Sequence, residues 1–337
     1  MNEPLSSQSV RTRLALSAFL LLFVELALIR WLGANVVYLA YFSNFVLVGS
    51  FLGIGLGFLW AGRFDFRLFP WSPLVLAAFV VFVRLADVSI EVGGSNLIFF
   101  ADQRPVGPPR WLILTVIFVA VAVIVACLAD GLARYFSLLT PLDAYRWDLI
   151  GSIAGVVGFS VLSFLGAPPV VWGLVAGGLL LALLHGSGWC TTALRVAAVL
   201  LLVGILGAES TGEDKAWSPY YALSWTASPF GGIIMHINDV ATWAQAPAGD
   251  MTGYAFAHDM RAADTPGEVL IIGAGSGNDV AEALARGATR VDAVEIDPEI
   301  YQIARDTHPD NPYADPRVFV HIDDGRAFLE GTDRKWD

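Results

Sequence analysis

The sequence predicts a multi-span α-helical membrane domain followed by an α/β domain built on a parallel sheet. Three observations carry this prediction. Of the 337 residues, 56% are hydrophobic and only 15% charged, with a mean hydropathy of +0.62, too apolar for an ordinary soluble domain. The charge balance also changes along the chain: up to Ser210 there are 11 Arg, no Lys and 10 acidic residues, and from Thr211 onward 9 basic and 21 acidic ones. Finally, the segment after Gly267 alternates strand-like and helix-like runs around a glycine-rich turn, "EVLIIGAGSGNDV".

The membrane part is expected over residues 13–208, after an N-terminal tail at 1–12. Crossing the hydrocarbon core takes about 20 mainly apolar residues. By that measure seven spans are expected, near 13–33, 37–61, 71–88, 111–129, 148–166, 169–186 and 193–208, the last one short. Arg11 and Arg13 precede the first run in the manner of a secretory signal. That run, however, is interrupted by Glu25 and Arg30 and lacks a small-residue cleavage site, so it reads as a retained helix. Cys127 and Cys190 both lie in or beside apolar runs, which excludes a disulfide framework or zinc cluster, and no metal site is expected. Loop arginines favour a cytoplasmic N-terminus, and seven spans would then place the C-terminal part outside. The cytosolic nature of nucleotide cofactors argues the other way and is given more weight.

Within the second span Gly49, Gly53 and Gly57 recur every fourth residue and form a smooth face for a neighbouring helix. Glu25 and Arg30 are ionisable groups inside the first span and face the bundle interior, with Arg84 of the third span as the candidate partner of Glu25. A structural ion pair and a substrate role are the two readings of these three residues.

Residues 209–266 turn soluble in character. "WSPYYALSW" and "SPFGGIIMHIND" suggest short strands joined at Pro-Phe-Gly-Gly as a small hairpin element. "TGYAFAHDMRAAD" reads as a short helix carrying Tyr254 and His258 on one face, either an interface or a pair of substrate contacts.

Residues 267–337 read as strand "EVLIIG", helix "NDVAEALARG" closed by Gly287, strand "VDAVEID", helix "PEIYQIARDTH" and strand "RVFVHID", the first half of a doubly wound parallel sheet. Gly273, Gly275 and Gly277 let the backbone turn sharply and approach a ligand. The spacing is G-x-G-x-G, and Asn278 stands where a dinucleotide fingerprint has its third glycine, which argues against NAD and FAD. Glu295 ends the second strand, where an acid accepts hydrogen bonds from ribose hydroxyls, and Asp324 ends the third, within reach of an exocyclic adenine amine. Together these select an adenosyl ligand. The absence of a GxxxxGK[ST] lysine argues against an ATPase.

"VLIIGAGSGNDV", "AVEIDPEI", "YADPRVFVHIDDGRAFL" and "KWD" resemble the core of the spermidine synthase, or polyamine aminopropyltransferase, family, which shares the class I methyltransferase-type, Rossmann-like fold. "SPYY" and "YAFAHDM" resemble that family's segments before the core, and "FVELALIRWLG" with "FLGIGLG" resembles its membrane-embedded bacterial members. The resemblance implies that Gly273, Gly275 and Gly277 line the adenosyl-methionine moiety, that Glu295 binds ribose and that Asp324 meets adenine. It further implies a decarboxylated S-adenosylmethionine donor, a small amine acceptor and a bacterial inner membrane with the C-terminal domain cytoplasmic. Two departures stand out. Ser276 replaces the loop aspartate that helps hold the charged end of the decarboxylated donor, so ordinary S-adenosylmethionine competes, with Asp279 as a substitute acid. The family's catalytic acid is expected beyond Asp337, so the chain reads as the front part of a longer protein.

Three functions follow as expectations: a membrane-anchored aminopropyltransferase-like enzyme, an S-adenosylmethionine-dependent methyltransferase, and a non-catalytic membrane transporter or sensor with a nucleotide-ligand domain. The expected partners are an amine substrate and the lipid bilayer, with a homo-oligomer left open. The acidic C-terminal part repels phosphate backbones and argues against nucleic acid.

Overall fold

Long apolar runs satisfy their own backbone groups most simply as helices, and the N-terminal part of the chain does so. The computed structural model describes residues 7–40, 44–86, 89–92, 103–106, 109–185, 188–212, 214–250, 252–260 and 267–337. Parts of the expected elements, including 1–6 of the tail, 41–43 of the second span and 261–266 before the first core strand, lie outside these. Two compact units form, residues 1–91 with 104–213, and 92–103 with 214–337.

The helical unit contains α1 (Ser7–Asn35), α2 (Val37–Ala40), α3 (Asn44–Arg63), α4 (Ser72–Ala86), α5 (Arg110–Phe136), α6 (Pro141–Phe164), α7 (Pro169–Leu183) and α8 (Trp189–Ser210). Two short strands, β1 (Ser89–Val92) and β2 (Gln103–Val106), pair with each other. Among the described residues six helices are long and apolar enough to cross a membrane, α4 being counted with the 3-10 turn Phe69–Trp71 that leads into it, and α7, with 15 residues, is shorter. The short helix is therefore α7 and not the last one. The run expected as one span at 37–61 holds α2 and α3, with 41–43 between them outside the described residues.

Side-chain contacts fix the helix directions. Arg11 Nε meets Asp143 Oδ2 at 2.7 Å, placing the starts of α1 and α6 together. Trp31 Nε1 and Asn35 Nδ2 each donate to Glu209 at 2.9 Å, placing the ends of α1 and α8 together. Arg13 donates to the carbonyl of Leu183, so α7 runs against α1. Arg195 donates to Pro70 O at 3.1 Å, so α4 and α8 start together. Asp130, late in α5, accepts from Leu68 and Phe69 N–H just before α4 begins, so α5 runs against α4. The first and last helices therefore point the same way, and α7 acts as a pass between α6 and α8.

The α3 glycine face packs on α5 as expected: a Cβ on Gly53 would stand 2.5 Å from Ala122 O, and one on Gly57 2.6 Å from Ala126 O. A second stripe does the same on α6, where Gly151 and Gly155 leave no room for a Cβ against Ala15 O and Phe19 O of α1. The expected pairing of Arg84 with Glu25 is corrected. Arg84 donates to Asn35 Oδ1 at 2.9 Å, because Asn35 at the end of α1 is the acceptor that the end of α4 reaches. Arg30 lies over the Trp172 ring at 5.4 Å, and Glu25 is buried with one carboxylate oxygen lacking a hydrogen-bond partner.

The second unit begins with an antiparallel meander of β3 (Lys215–Trp217), β4 (Ala222–Ala227), β5 (Ile233–Ile237) and β6 (Val240–Ala244). The β4–β5 turn is the expected Pro-Phe-Gly-Gly segment, with Gly231 and Gly232 at positive φ. A further tight turn at Asn238 and Asp239, both left-handed, adds β6, so the element is four strands instead of one hairpin. After α9 (Thr252–Asp259) come β7 (Glu268–Ile272), α10 (Asn278–Ala285), β8 (Arg290–Glu295), α11 (Pro298–Thr307), β9 (Val318–Ile322) and α12 (Gly325–Glu330). The last three strands are parallel in the order β7-β8-β9. Val291 and Ala293 on one face of β8 pack with Val280, Ala283 and Ala304 of the crossover helices, and Leu223 and Met235 of the meander pack on Ile300 of α11.

The opposite face of β8 carries Asp292. Burial alone would push this carboxyl up, but hydrogen bonds from Arg290, Trp336 and His321 outweigh it and hold it well below the usual carboxylate range. Asp337 N–H donates to Glu268 O at 3.0 Å. Because Gly267 O faces β8 and successive carbonyls alternate, this contact lies on the other edge of β7.

Candidate functional site

The glycine turn sits where β7 hands over to α10 at the carboxyl edge of the parallel sheet. Gly273, Gly275 and Gly277 have φ of +74°, +34° and +86°, backbone that glycine adopts without strain. The N–H groups of Gly273 and Ala274 donate to Val294 O at 2.8 and 3.0 Å, which ties the turn to β8. A Cβ at Gly273 would meet nothing within 4 Å, so this is the open side of the turn. At Gly277 it would stand 3.1 Å from the Tyr313 ring, which closes the other side.

Glu295, buried at the end of β8, bridges the two connections. Its Oε2 accepts from Gly275 N–H at 2.9 Å and its Oε1 from Asp297 N–H at 3.0 Å. Burial raises its pKa above the ordinary glutamate value, against the lowering effect of these two amides. Asp297, fully buried, caps α11 through Oδ1, while its Oδ2 has no hydrogen-bond partner.

Four further side chains hold this turn. Gln245, buried after β6, donates to Ser276 O at 3.2 Å and Ala304 O at 3.3 Å and accepts from Ile233 N–H at 3.1 Å. Asn278 donates to Ala244 O at 2.7 Å and accepts from Ala246 N–H at 3.3 Å. His308 Nε2 lies 3.0 Å from the same Asn278 oxygen, and its Nδ1 accepts from Asp310 N–H at 3.1 Å. Tyr313 donates to Ala274 O at 3.2 Å. Sequence reasoning missed these anchors. A lone polar residue in "WAQAPAG" and the Asn in place of a third glycine were the available signals.

The remaining expected site residues spread over this unit. Ser276 is buried and its Oγ accepts from Asn278 N–H at 3.2 Å. Asp279 opens α10, its carboxyl pushed up by burial against the charge of nearby His258 on α9. Tyr254 shares α9 with His258, and both are half-buried. Asp324 is exposed and caps α12, its Oδ1 accepting from Arg326 and Ala327 N–H at 3.0 Å each. At the three strand ends Ile272, Ile296 and Ile322 are partly bare.

Parallel strands linked by crossover helices, with a glycine turn after the first and an acid at the end of the second, define the opening half of a class I methyltransferase-type fold. Residues 255–337 match the family described as "Spermine/spermidine synthase domain". Curated relatives include a polyamine aminopropyltransferase of Korarchaeum cryptofilum, 34% identical over 77 residues, 22% of this chain and 24% of the relative. Spermidine synthase 1 of Hyoscyamus niger is 40% identical over 70 residues, 20% of this chain and 22% of the relative. A polyamine aminopropyltransferase of Clostridium perfringens is 40% identical over 73 residues, 20% of this chain and 25% of the relative. The chain thus spans about a quarter of the length of the curated relatives it matches.

Proposed function

We propose that the protein is a membrane-anchored, spermidine synthase-like aminopropyltransferase. The observation that carries this reading is the contact of Gly275 N–H with Glu295 Oε2, which sets a buried carboxylate beside an open glycine turn in the segment that matches the spermine/spermidine synthase family. An adenosyl sulfonium fits there: Gly273 leaves space for it, Glu295 accepts from its ribose, Asp324 faces its adenine amine, and the bare isoleucines supply an apolar surface for the base. Tyr254, His258 and Asp279 line the approach of the amine.

In the reaction, the acceptor amine attacks the methylene beside the sulfonium. The new C–N bond forms as the C–S bond breaks, a general base takes the amine proton, and methylthioadenosine leaves as a neutral thioether. Holding amine and sulfonium in line supplies most of the rate.

One observation favours a second reading, methyl transfer from S-adenosylmethionine. Position 276 offers a buried hydroxyl already engaged by Asn278, and no carboxylate for the charged tail of the decarboxylated donor. Calorimetry on the full-length protein separates the two: tighter binding of decarboxylated than of ordinary S-adenosylmethionine is expected, and the reverse order would replace the first reading by the second.

The six long apolar helices support insertion in a membrane, and a cytosolic donor supports a cytoplasmic C-terminal unit. Since α1 and α8 point the same way, that placement puts Arg11 and Arg13 on the far side. Reporter fusions at both ends test it, and a cytoplasmic N-terminus together with an external C-terminal unit would overturn it.

A further inference from the structure

Arg13 stands at one end of a groove along α1 and α7. A hollow of about 360 Å³ is lined by Gln8, Thr12 and Arg13 of α1 and by Ala182 and Leu183 of α7. A second hollow, about 420 Å³, is lined by apolar residues alone, among them Phe19, Leu174 and Leu179. Leu16 borders both, so a polar mouth continues into an apolar trough. The trough exists because of Gly178: no atom lies within 4 Å of the place its Cβ would take, so the glycine opens a gap in the α7 surface. From Ala182 at the mouth to Leu174 the groove follows α7 for about 12 Å, at the helical rise of about 1.5 Å per residue.

Among the described residues no carboxylate meets Arg13. Arg13 donates through one nitrogen to Tyr135 Oη and to Leu183 O, both at 3.3 Å and both neutral. Arg11, two residues earlier and so on another face of α1, is instead paired with Asp143 at 2.7 Å. A guanidinium that meets only neutral groups among the described residues, above a hydrocarbon-lined trough, matches a molecule that is anionic at one end and apolar beyond it.

We infer that the α1–α7 groove binds an anionic phospholipid, with its phosphate on Arg13 and an acyl chain along Leu16, Phe19 and Leu174. The site rests on the reading that the helical unit spans a membrane.

The test is native mass spectrometry of the full chain released from nanodiscs of phosphatidylcholine mixed with phosphatidylglycerol. Wild type retains phosphatidylglycerol in preference. Arg13→Gln lowers that preference about fivefold, the factor expected for one basic residue at an anionic surface, whereas Arg13→Lys keeps it. Gly178→Trp fills the trough and lowers retention of both lipids, and Leu149→Trp on the exposed face of α6 changes neither. Equal retention by Arg13→Gln, loss in Arg13→Lys matching that in Arg13→Gln, or an equal effect of Leu149→Trp would overturn the site. Carbonate extraction separates this from the underlying reading. A chain released to the supernatant overturns membrane insertion itself, while a pelleted chain without phosphatidylglycerol preference overturns the lipid site alone.

Discussion

The side-chain amide of Gln245 donates 3.2 Å to the carbonyl of Ser276, so the end of the β-meander holds the glycine turn of the parallel sheet. The same amide spans to Ala304 and Ile233, and the whole group is buried. Gln245→Leu keeps the apolar contacts but removes the partner of Ile233 N–H and of Ser276 O, while Ala304 O still accepts from His308 N–H at 3.0 Å. Each buried orphan costs about 1–3 kcal/mol, and partial relaxation makes a total near 3 kcal/mol the reasonable expectation. Hydrogen exchange on the full chain should show faster exchange at Ile233 and through residues 273–278. Unchanged protection there would mean that the amide does not clamp the turn.

What was legible in the sequence followed from strong local signals. The βαβαβ order after Gly267 shows in continuous apolar strands and in Gly287, whose φ of +87° ends α10. The four-residue recurrence of Gly49, Gly53 and Gly57 gave a contact face with no tertiary information. The matching α6 stripe was harder to see because Asp143, Arg146 and Asp148 make the start of that helix look soluble, and α6 begins at Pro141 instead of near 148. Strand β6 is five residues long with a bulge opposite it, too short for periodicity to reveal. Position and type at the end of the third strand suggest an adenine contact for Asp324, whereas its capping of α12 leaves little local signal because that helix has only six residues. Gln245 and His308 act across long sequence separations, which no local pattern encodes.

Gly53 on α3 is the tightest point of the α3–α5 contact, with Ala122 O at 2.5 Å and Val125 Cβ at 2.9 Å from its hypothetical Cβ. Gly53→Leu therefore forces the helices apart, costing on the order of 1–3 kcal/mol or more through overpacking. Gly55, on the same helix with open space around it, accepts Gly55→Leu without that cost. Thermal unfolding of the full chain in detergent should show a lower midpoint for the first variant alone. Equal midpoints would remove the contact-face role of the stripe.

Glu295 should make ligand binding depend on pH. Burial raises its pKa in the folded protein above the unfolded value, so its contribution to stability is present below that unfolded value and is lost as pH rises through the folded one. Ligand affinity runs the opposite way, because ribose hydroxyls donate to the ionised form. Calorimetry with the adenosyl ligand should show binding tightening as pH rises above the ordinary glutamate value of 4.5. Glu295→Gln should flatten that profile and weaken binding by roughly tenfold, since charge-assisted hydrogen bonds are worth about 1.5–3 kcal/mol. A profile as steep in the variant as in wild type would assign the titration to another group.

His308 should give the same unit an acid limb of opposite sign. Burial lowers its pKa, against the raising effect of Asp310, and its neighbours require one neutral tautomer. Asp310 N–H donates to Nδ1, so the proton sits on Nε2, facing the Asn278 oxygen at 3.0 Å. Because the folded pKa is depressed, the stability it contributes is complete above the unfolded value near 6.5 and is lost as pH falls toward the folded one. Hydrogen-exchange protection of α10 and α11 in the full chain should fall between about pH 7 and about pH 5. His308→Gln should cost about 1–2 kcal/mol at neutral pH and shrink that fall. What remains in the variant is the balance of Glu295 and Asp279, both raised by burial and gaining as pH drops, against His236 of the meander, which burial lowers and which loses stability in the same direction. An acid limb undiminished by His308→Gln would place the titrating group elsewhere than between the meander and the glycine turn.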